Sequence, residues 1–457
     1  MQNFNRIKTG FREKVNSSQG RFLVWSITYL VVFLFFLSLY LNRMFQPIAL
    51  DEPQFIWLSQ RFTLLILDGN FKSNIWSKPY NNWGRINPKV SLYFMAVPLM
   101  LSHEIYTDFP AMQWDPNLDV DGNDRLGTTP PFRTLFYGRL ANPFLVAASV
   151  CLCLFLLSRC LSPVPSLLAS LFLGLSPLWY KLAVIARLDI PAFFLSMAFL
   201  AWASAIDWRK LSAKSRAQEA LALIFSGCIL GLCIGAKINA LPLLGVWCAY
   251  LFWMICLDFQ PIKMPGLKRL PGFVYAVVLS LGVGWVVFVA SNPFLYSLNP
   301  IITLQHAHIL LLNSNCVYSS REVFPQDALY TNWERIKSVP SLMFESPGWD
   351  GGLLAKSEPG IYGLFLAGAV LLLARILRGL ANQASAEYHG LRKKDVAILL
   401  LLSVALIYIP SQVWIPLKWL RYYLPFLIPF AILFGAGCEA VVSLLRSGLR
   451  RFLRNPS

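Results

Sequence analysis

FQPIALDEPQFIWLSQRF, residues 45–62, follows directly on an uninterrupted apolar run at 22–42. Twenty-one apolar residues are enough to cross the hydrocarbon of a bilayer and exceed a typical signal-peptide core, so the run reads as an uncleaved membrane helix. Two adjacent carboxylates, Asp51 and Glu52, come a few residues after it. Ionised carboxylates are costly to take out of water, which places the pair at the membrane interface. As sequence neighbours they lie about 100° apart on a helix and on opposite faces of a strand, so they cannot both face one substrate. One of them acts while the other packs or bonds.

The rest of the chain fits a membrane protein. Of 457 residues, 56% are hydrophobic and only 14% charged, with a mean hydropathy of +0.54, which is too apolar for a soluble protein of this length. Apolar runs recur at 140–158, 164–182, 190–206, 220–236, 239–257, 272–292, 360–377, 396–412 and 422–445, making ten with the first. Residues 90–101 (VSLYFMAVPLML) are short for a span and contain Pro98, so they read as an interfacial or re-entrant helix. A true span there is the main topological alternative. The sequence thus predicts an all-α polytopic membrane protein forming one membrane-integrated domain over 1–457. It has about ten transmembrane helices, external loops at 43–137 and 293–358, and interfacial helices in the first of these.

Charge tests this layout. The net charge is +17, which in a soluble protein would suggest nucleic acid. In this topology the cytoplasmic segments hold 22 Lys and Arg against 7 acids, and the external ones 18 against 16. Loop Lys and Arg orient membrane helices, so this asymmetry accounts for the charge without a nucleic-acid partner. Most cysteines lie inside apolar runs, so no disulfide framework is implied.

The external side gathers the polar residues that could do chemistry. Asp189 returns there, as do Lys89, Arg139, Arg187, Lys237 and Arg421. A glycosidase needs a second carboxyl to protonate a departing alkoxide. A sugar phosphate ester leaves as phosphate and needs cations instead, which Arg supplies as a fork and Lys as a point charge. Lys237 is the most suggestive, because GLCIGAKINALPLL (231–244) holds it in a very short turn between two apolar runs.

Taken together, these segments resemble the GT-C type glycosyltransferases, and within them the protein O-mannosyltransferase and aminoarabinose-transferase group, glycosyltransferase family 39. LDEPQF (50–55) resembles the acidic pair opening that family's first external loop, and NPKVSLYF (87–94) its basic-proline segment, with Lys89 near the basic position. GRLANPFLVA (138–147) is similar to the Arg that opens the second span, ARLDIPAFF (186–194) to the second-acid motif, GLCIGAKINALPLL to a Thr-Lys segment, and RYYLPFLIPF (421–430) to a late Arg-Tyr span. Asn87 stands where His is common, Val90 replaces a proline, and Ala236 precedes Lys237 where Thr is usual.

The resemblance implies a sugar donor on a polyprenyl monophosphate and an acceptor hydroxyl on a lipid, glycan or protein. Transfer would proceed with inversion, Asp51 acting as base with Glu52 and Asp189 beside it. Lys89, Arg139, Arg187, Lys237 and Arg421 would bind the donor phosphate. No cofactor is required, leaving room at most for a weakly bound divalent cation. No glycosylation sequon falls on the external side, which leans toward a bacterial plasma membrane with an external active site. The competing expectation is a transporter or flippase for an anionic lipid or lipid-linked sugar, but the two halves of the chain show no repeated motif.

Two weaker signals carry no site. NLDVDGNDRLGT (117–128), with Asp119, Asp121, Gly122 and Asp124, partly follows a calcium loop but has Thr128 where the closing Glu belongs. It reads as a solvated turn. His306 and His308 are two apart and diverge on a helix, so no metal site is expected.

Overall fold

The computed structural model describes residues 18–49, 52–71, 88–113, 115, 118–206, 216–256, 269–297, 299–314, 325–335, 337–338, 358–383, 393–411 and 423–454. Within these the protein is helical throughout, with no β-strand among the described residues. In chain order the first helices are α1 (Ser18–Leu41), α2 (Glu52–Leu67), α3 (Val90–Leu101), α4 (Val120–Arg125) and α5 (Phe132–Ser158). They are followed by α6 (Pro163–Gly174), α7 (Pro177–Leu182), α8 (Asp189–Ala205), α9 (Arg216–Ala236) and α10 (Pro242–Cys256). The last are α11 (Arg269–Ala290), α12 (Pro300–Ser314), α13 (Glu358–Gln383), α14 (Lys393–Ser411) and α15 (Leu427–Arg454). In lipid every backbone group must find its partner internally, and a helix does this within one segment.

Among the described residues five helices are long and apolar enough to cross a membrane: Phe22–Leu41, Phe132–Ser158, Arg216–Ala236, Pro271–Ala290 and Leu424–Ser447. The shorter apolar helices account for the other expected spans, with one correction. The run at 164–182 is two helices, α6 and α7, broken at Leu175–Ser176. Pro177 lacks the N–H that a continuing helix would need, so it starts a new one. Helix α3 has twelve residues, a rise of about 18 Å, well short of the roughly 30 Å of hydrocarbon. Val90, Ser91, Leu92, Met95, Ala96 and Leu99 are all buried, so α3 is embedded in protein over most of its circumference.

Small residues set the closest helix crossings. A Cβ added at Gly227 or Gly231 of α9 would stand 2.3 Å from the carbonyl of Ser280 or 2.4 Å from that of Gly284 on α11. The two backbones therefore touch, as small-residue interfaces between membrane helices allow. Around this frame the main core gathers Phe36, Trp179, Phe199, Trp247 and Tyr250. A second cluster, with Phe55, Phe62, Leu92 and Leu99, seats α3 on α2, and a third holds α12 through Phe288, Phe294 and Leu310.

Hydrogen bonds sort the helix ends into two sets. At one end Glu439 of α15 accepts from the amide and hydroxyl of Ser162 at 3.0 and 2.5 Å, with Arg375 of α13 3.6 Å away. The other end collects the start of α2, α3, α5 and α8 and the close of α9 and α11. The expected functional residues that the structure describes all lie there.

Candidate functional site

Of the residues singled out from the sequence, Asp51 and Arg421 lie outside the described residues. Glu52, Lys89, Arg139, Arg187, Asp189 and Lys237 are described, and they divide into two groups.

Glu52 and Arg139 satisfy each other completely. Arg139 Nε donates to Glu52 Oε1 at 2.6 Å and Nη2 to Oε2 at 2.6 Å. The remaining guanidinium hydrogens go to the carbonyls of Met44 (2.6 Å), Gln46 (2.8 Å) and Pro47 (3.1 Å). Glu52 also accepts from the Ala186 amide at 2.8 Å and the Ala49 amide at 3.1 Å. A guanidinium has five N–H donors and all five are engaged. With exposures of 0% and 1%, neither side chain is open to a ligand. In this geometry all five Arg139 donors are taken and both Glu52 oxygens accept, so neither side chain offers a free group to a ligand. Together they fold the stretch that leads from α1 into α2, and Glu52 is the member of the acidic pair that packs.

The second group forms around the turn 183–188, between α7 and α8. This turn is pinned on every side. The Asn142 amide donates to Ile185 O, and the Ala186 amide to Glu52. Ser91 Oγ lies 2.8 Å from Leu188 O and 3.1 Å from Ala236 O, so one hydroxyl on α3 joins the start of α8 to the end of α9. The Lys89 amide donates to Asn292 Oδ1 at 2.8 Å, which adds the end of α11. Asp189, in the first turn of α8 where a carboxylate suits the helix dipole, pairs with the Lys237 ammonium. Lys237 stands on extended backbone (φ −163°, ψ 137°) and is 15% exposed, Asp189 7%.

In the middle of this pinned turn, Arg187 is half-buried and its guanidinium makes no hydrogen bond or ion pair with any described residue. Its Nε is fully buried without a partner. Buried cations are ordinarily paired, so a guanidinium with no partner among the described residues has donors to offer an anion. Lys89 caps α3 with its ammonium 4.7 Å from the centre of the Phe62 ring. Burial pushes that ammonium down to about 7. Lys89, Arg187 and Lys237 are thereby tied to one another through Ser91.

One small cavity adjoins this set, and a groove lies on α11 and α12. The cavity, about 20 Å³, is lined by Asp189, Ser196, Lys237, Asn239 and Tyr408 with apolar neighbours. The groove, larger and open at about 540 Å³, is lined by Trp285, Val286, Val289, Tyr296 and Leu304. Ala290, Ser297 and Thr303 also line it, while the Asn292 that holds the Lys89 amide lies between Ala290 and Tyr296 in the chain and is buried. Ser91, Asn292 and Tyr408 were not singled out from the sequence. Only Asn292, a polar residue ahead of Pro293 where an apolar run closes, carried any signal.

The calcium-like loop is a capped helical turn. Asp119 Oδ1 accepts from the Gly122 amide at 2.7 Å, and Asn123 accepts from the Asp115 amide and the Thr128 hydroxyl. His306 stacks on Phe294, and no cluster of metal-ligating side chains occurs among the described residues.

No family model and no curated protein matches the chain. Among solved structures it is similar to ArnT from Cupriavidus metallidurans bound to undecaprenyl phosphate, with 14% identity, 92% of this chain and 60% of that one covered, and a TM-score of 0.46. It is also similar to the Archaeoglobus fulgidus oligosaccharyltransferase tethered with an acceptor peptide, with 11% identity, coverage of 94% and 51%, and a TM-score of 0.49. Both are GT-C-fold glycosyltransferases, the class that the sequence motifs resemble. The chain spans only 60% and 51% of the length of these proteins. Overlaps with TM-scores below 0.5 decide nothing about chemistry, which rests on the chain's own side chains.

Proposed function

We propose that the protein is a membrane glycosyltransferase that moves a sugar from a polyprenyl monophosphate carrier to an acceptor hydroxyl. The observation that carries this reading is the Arg187 guanidinium, which has no partner among the described residues, held in an anchored turn with Lys89 and Lys237 on the segments bonded to it. Three cations in this arrangement suit a phosphate, and the apolar groove between α11 and α12 suits a hydrocarbon chain attached to it. In the step, the acceptor oxygen bonds to the anomeric carbon as the carbon–oxygen bond to the phosphate breaks. Attack from the opposite face inverts the centre. The acceptor proton passes to a carboxylate, the role we give Asp51, while the phosphate takes the bonding electrons and leaves without a proton. Fixed cations stabilise the charge it gains. A bacterial plasma membrane, with this end facing outward, fits the Lys and Arg distribution.

The test uses purified protein with a polyprenyl-phosphate sugar and a product assay. Asp51→Asn keeps size but cannot accept the proton, so turnover falls about 10²–10⁴-fold while donor binding survives. Full transfer by this variant removes Asp51 as base. Wild-type protein that consumes no donor but carries the lipid between leaflets is a transporter for the same anion.

A further inference from the structure

Helix α15 is longer than the membrane it crosses. Its 28 residues, Leu427–Arg454, rise about 42 Å, against roughly 30 Å of hydrocarbon. A tilt of about 20° takes up only about 3 Å of that excess. The helix starts beside the small cavity, where Leu424 and Pro425 lie, so the surplus falls at its other end, past Glu439. There Ser162 and Arg375 already hold the Glu439 carboxylate. No Asp or Glu follows it in the chain, and the closing stretch RSGLRRFLR, 446–454, holds four arginines. Arg446 is exposed, and its guanidinium makes no hydrogen bond or ion pair with any described residue. Leu444 and Leu445, just before it, are 71% and 68% exposed. By helical register, positions 446, 450 and 454 share one face and 441, 445 and 449 another.

We propose that the last turns of α15 form a basic surface for the phosphates of anionic phospholipid headgroups. The partner follows from the two faces together. Exposed leucines call for hydrocarbon and the arginines beside them for anions, and the headgroup boundary of an anionic bilayer supplies both within one helical turn. A nucleic acid or an acidic protein in water would answer the arginines and leave the leucines wet. A guanidinium grips a phosphate through paired N–H donors, while its hydrocarbon stem lies along the same boundary. On the topology read from the Lys and Arg distribution, this is the cytoplasmic leaflet, across the bilayer from the Arg187 turn. The inference does not rest on the glycosyl-transfer reading.

The experiment places a fluorescent amino acid at Ser447, an exposed position next to Arg446, in the full-length protein. The protein is reconstituted in phosphatidylcholine vesicles with a fixed fraction of brominated lipid, either phosphatidylglycerol or phosphatidylcholine. Bromine on the acyl chain quenches only by contact, so the two degrees of quenching report which headgroup collects at this helix end. One arginine near an anionic surface contributes about fivefold, so phosphatidylglycerol is expected to be preferred by at least about tenfold in relative affinity. Arg446→Gln, Arg450→Gln, Arg451→Gln and Arg454→Gln combined should bring that ratio to about one. Arg209→Gln, Lys210→Gln and Lys214→Gln, in a segment that the topology puts at the same face, should leave it unchanged. Should the fourfold variant not fold, Arg446→Gln with Arg450→Gln alone should lower the ratio at least about threefold. Equal quenching by the two lipids in the wild type overturns the proposal, as does a ratio that survives the α15 substitutions. An equal loss in the 209–214 variant overturns it too, because any charge on that face would then suffice.

Discussion

Two carboxylate–cation pairs stand at the same end of this bundle and differ in almost everything else. Glu52–Arg139 is saturated: two charged hydrogen bonds join the partners, and five more run to backbone amides and carbonyls. Asp189 meets Lys237 through one oxygen, the pair lines a cavity, and two residues before Asp189 stands a guanidinium with no partner among the described residues. An Arg fork locks a carboxylate in one geometry, whereas an ammonium is a point charge that can turn to another partner. The lesson is that charge in a membrane protein marks a site where it faces a cavity and not where it is closed off on backbone. On the reading we propose, the second pair, which lines a cavity, belongs to the site, and the first is the scaffold that holds it.

Breaking each pair separates the two roles. Glu52→Gln leaves Arg139 charged and buried, and loss of one partner of such a pair typically costs about 3–5 kcal/mol. The expected result is a large drop in melting temperature and in yield of folded protein. Asp189→Asn, in a wetter setting, costs nearer 1–3 kcal/mol, yet lowers turnover per folded molecule more than Glu52→Gln does. If Asp189→Asn proves the less stable of the two, the division into scaffold and site is wrong.

Arg187→Ala tests the site without touching either pair. Removing a fixed charge stabiliser typically costs about 10²–10³ in rate, and because Arg187 has no described partner the melting temperature should hold or rise. A destabilised variant with normal turnover would make Arg187 another structural cation.

The smallest expected effect is on pH. Burial places the Lys89 ammonium at about 7, and a phosphate brought beside it favours the charged form, raising it. Binding therefore takes up a proton at pH values between about 7 and the ordinary lysine value near 10.4. Affinity for a polyprenyl phosphodiester is fully present below 7 and falls as pH rises through that window, by at most tenfold per unit. Lys89→Met should weaken binding and flatten the slope. A slope that persists in Lys89→Met assigns the proton to another group.

Much of the fold was legible because hydropathy reports where backbone must be helical. It could not report the break between α6 and α7, since 164–182 stays apolar on both sides of it and Pro177 is tolerated in membrane helices. Lys237 was legible from its short turn. Arg139 misled because its partner lies 87 residues earlier in the chain, and a residue type says nothing about who already holds it. Arg187 stood among five cations with nothing to separate it from the rest; its distinction is the lack of a bond to any described residue. Tyr408 looked like any aromatic residue in an apolar run.

The backbone contact between α9 and α11 has a mechanical side. At Gly227 and Gly231 no side chain lies between the helices to absorb a relative shift, so the two behave as one lever. One tip carries Lys237 and the other carries Asn292, while Val278 and Val286 on the shaft are 64% and 63% exposed. Because Ser91 and Asp189 bind the α9 tip to the turn that carries Arg187, a tilt of this shaft pulls on the whole pinned set and not on one residue. Helices tilt to match the hydrocarbon around them, so turnover compared across bilayers of graded chain length reads how far that pull reaches the site.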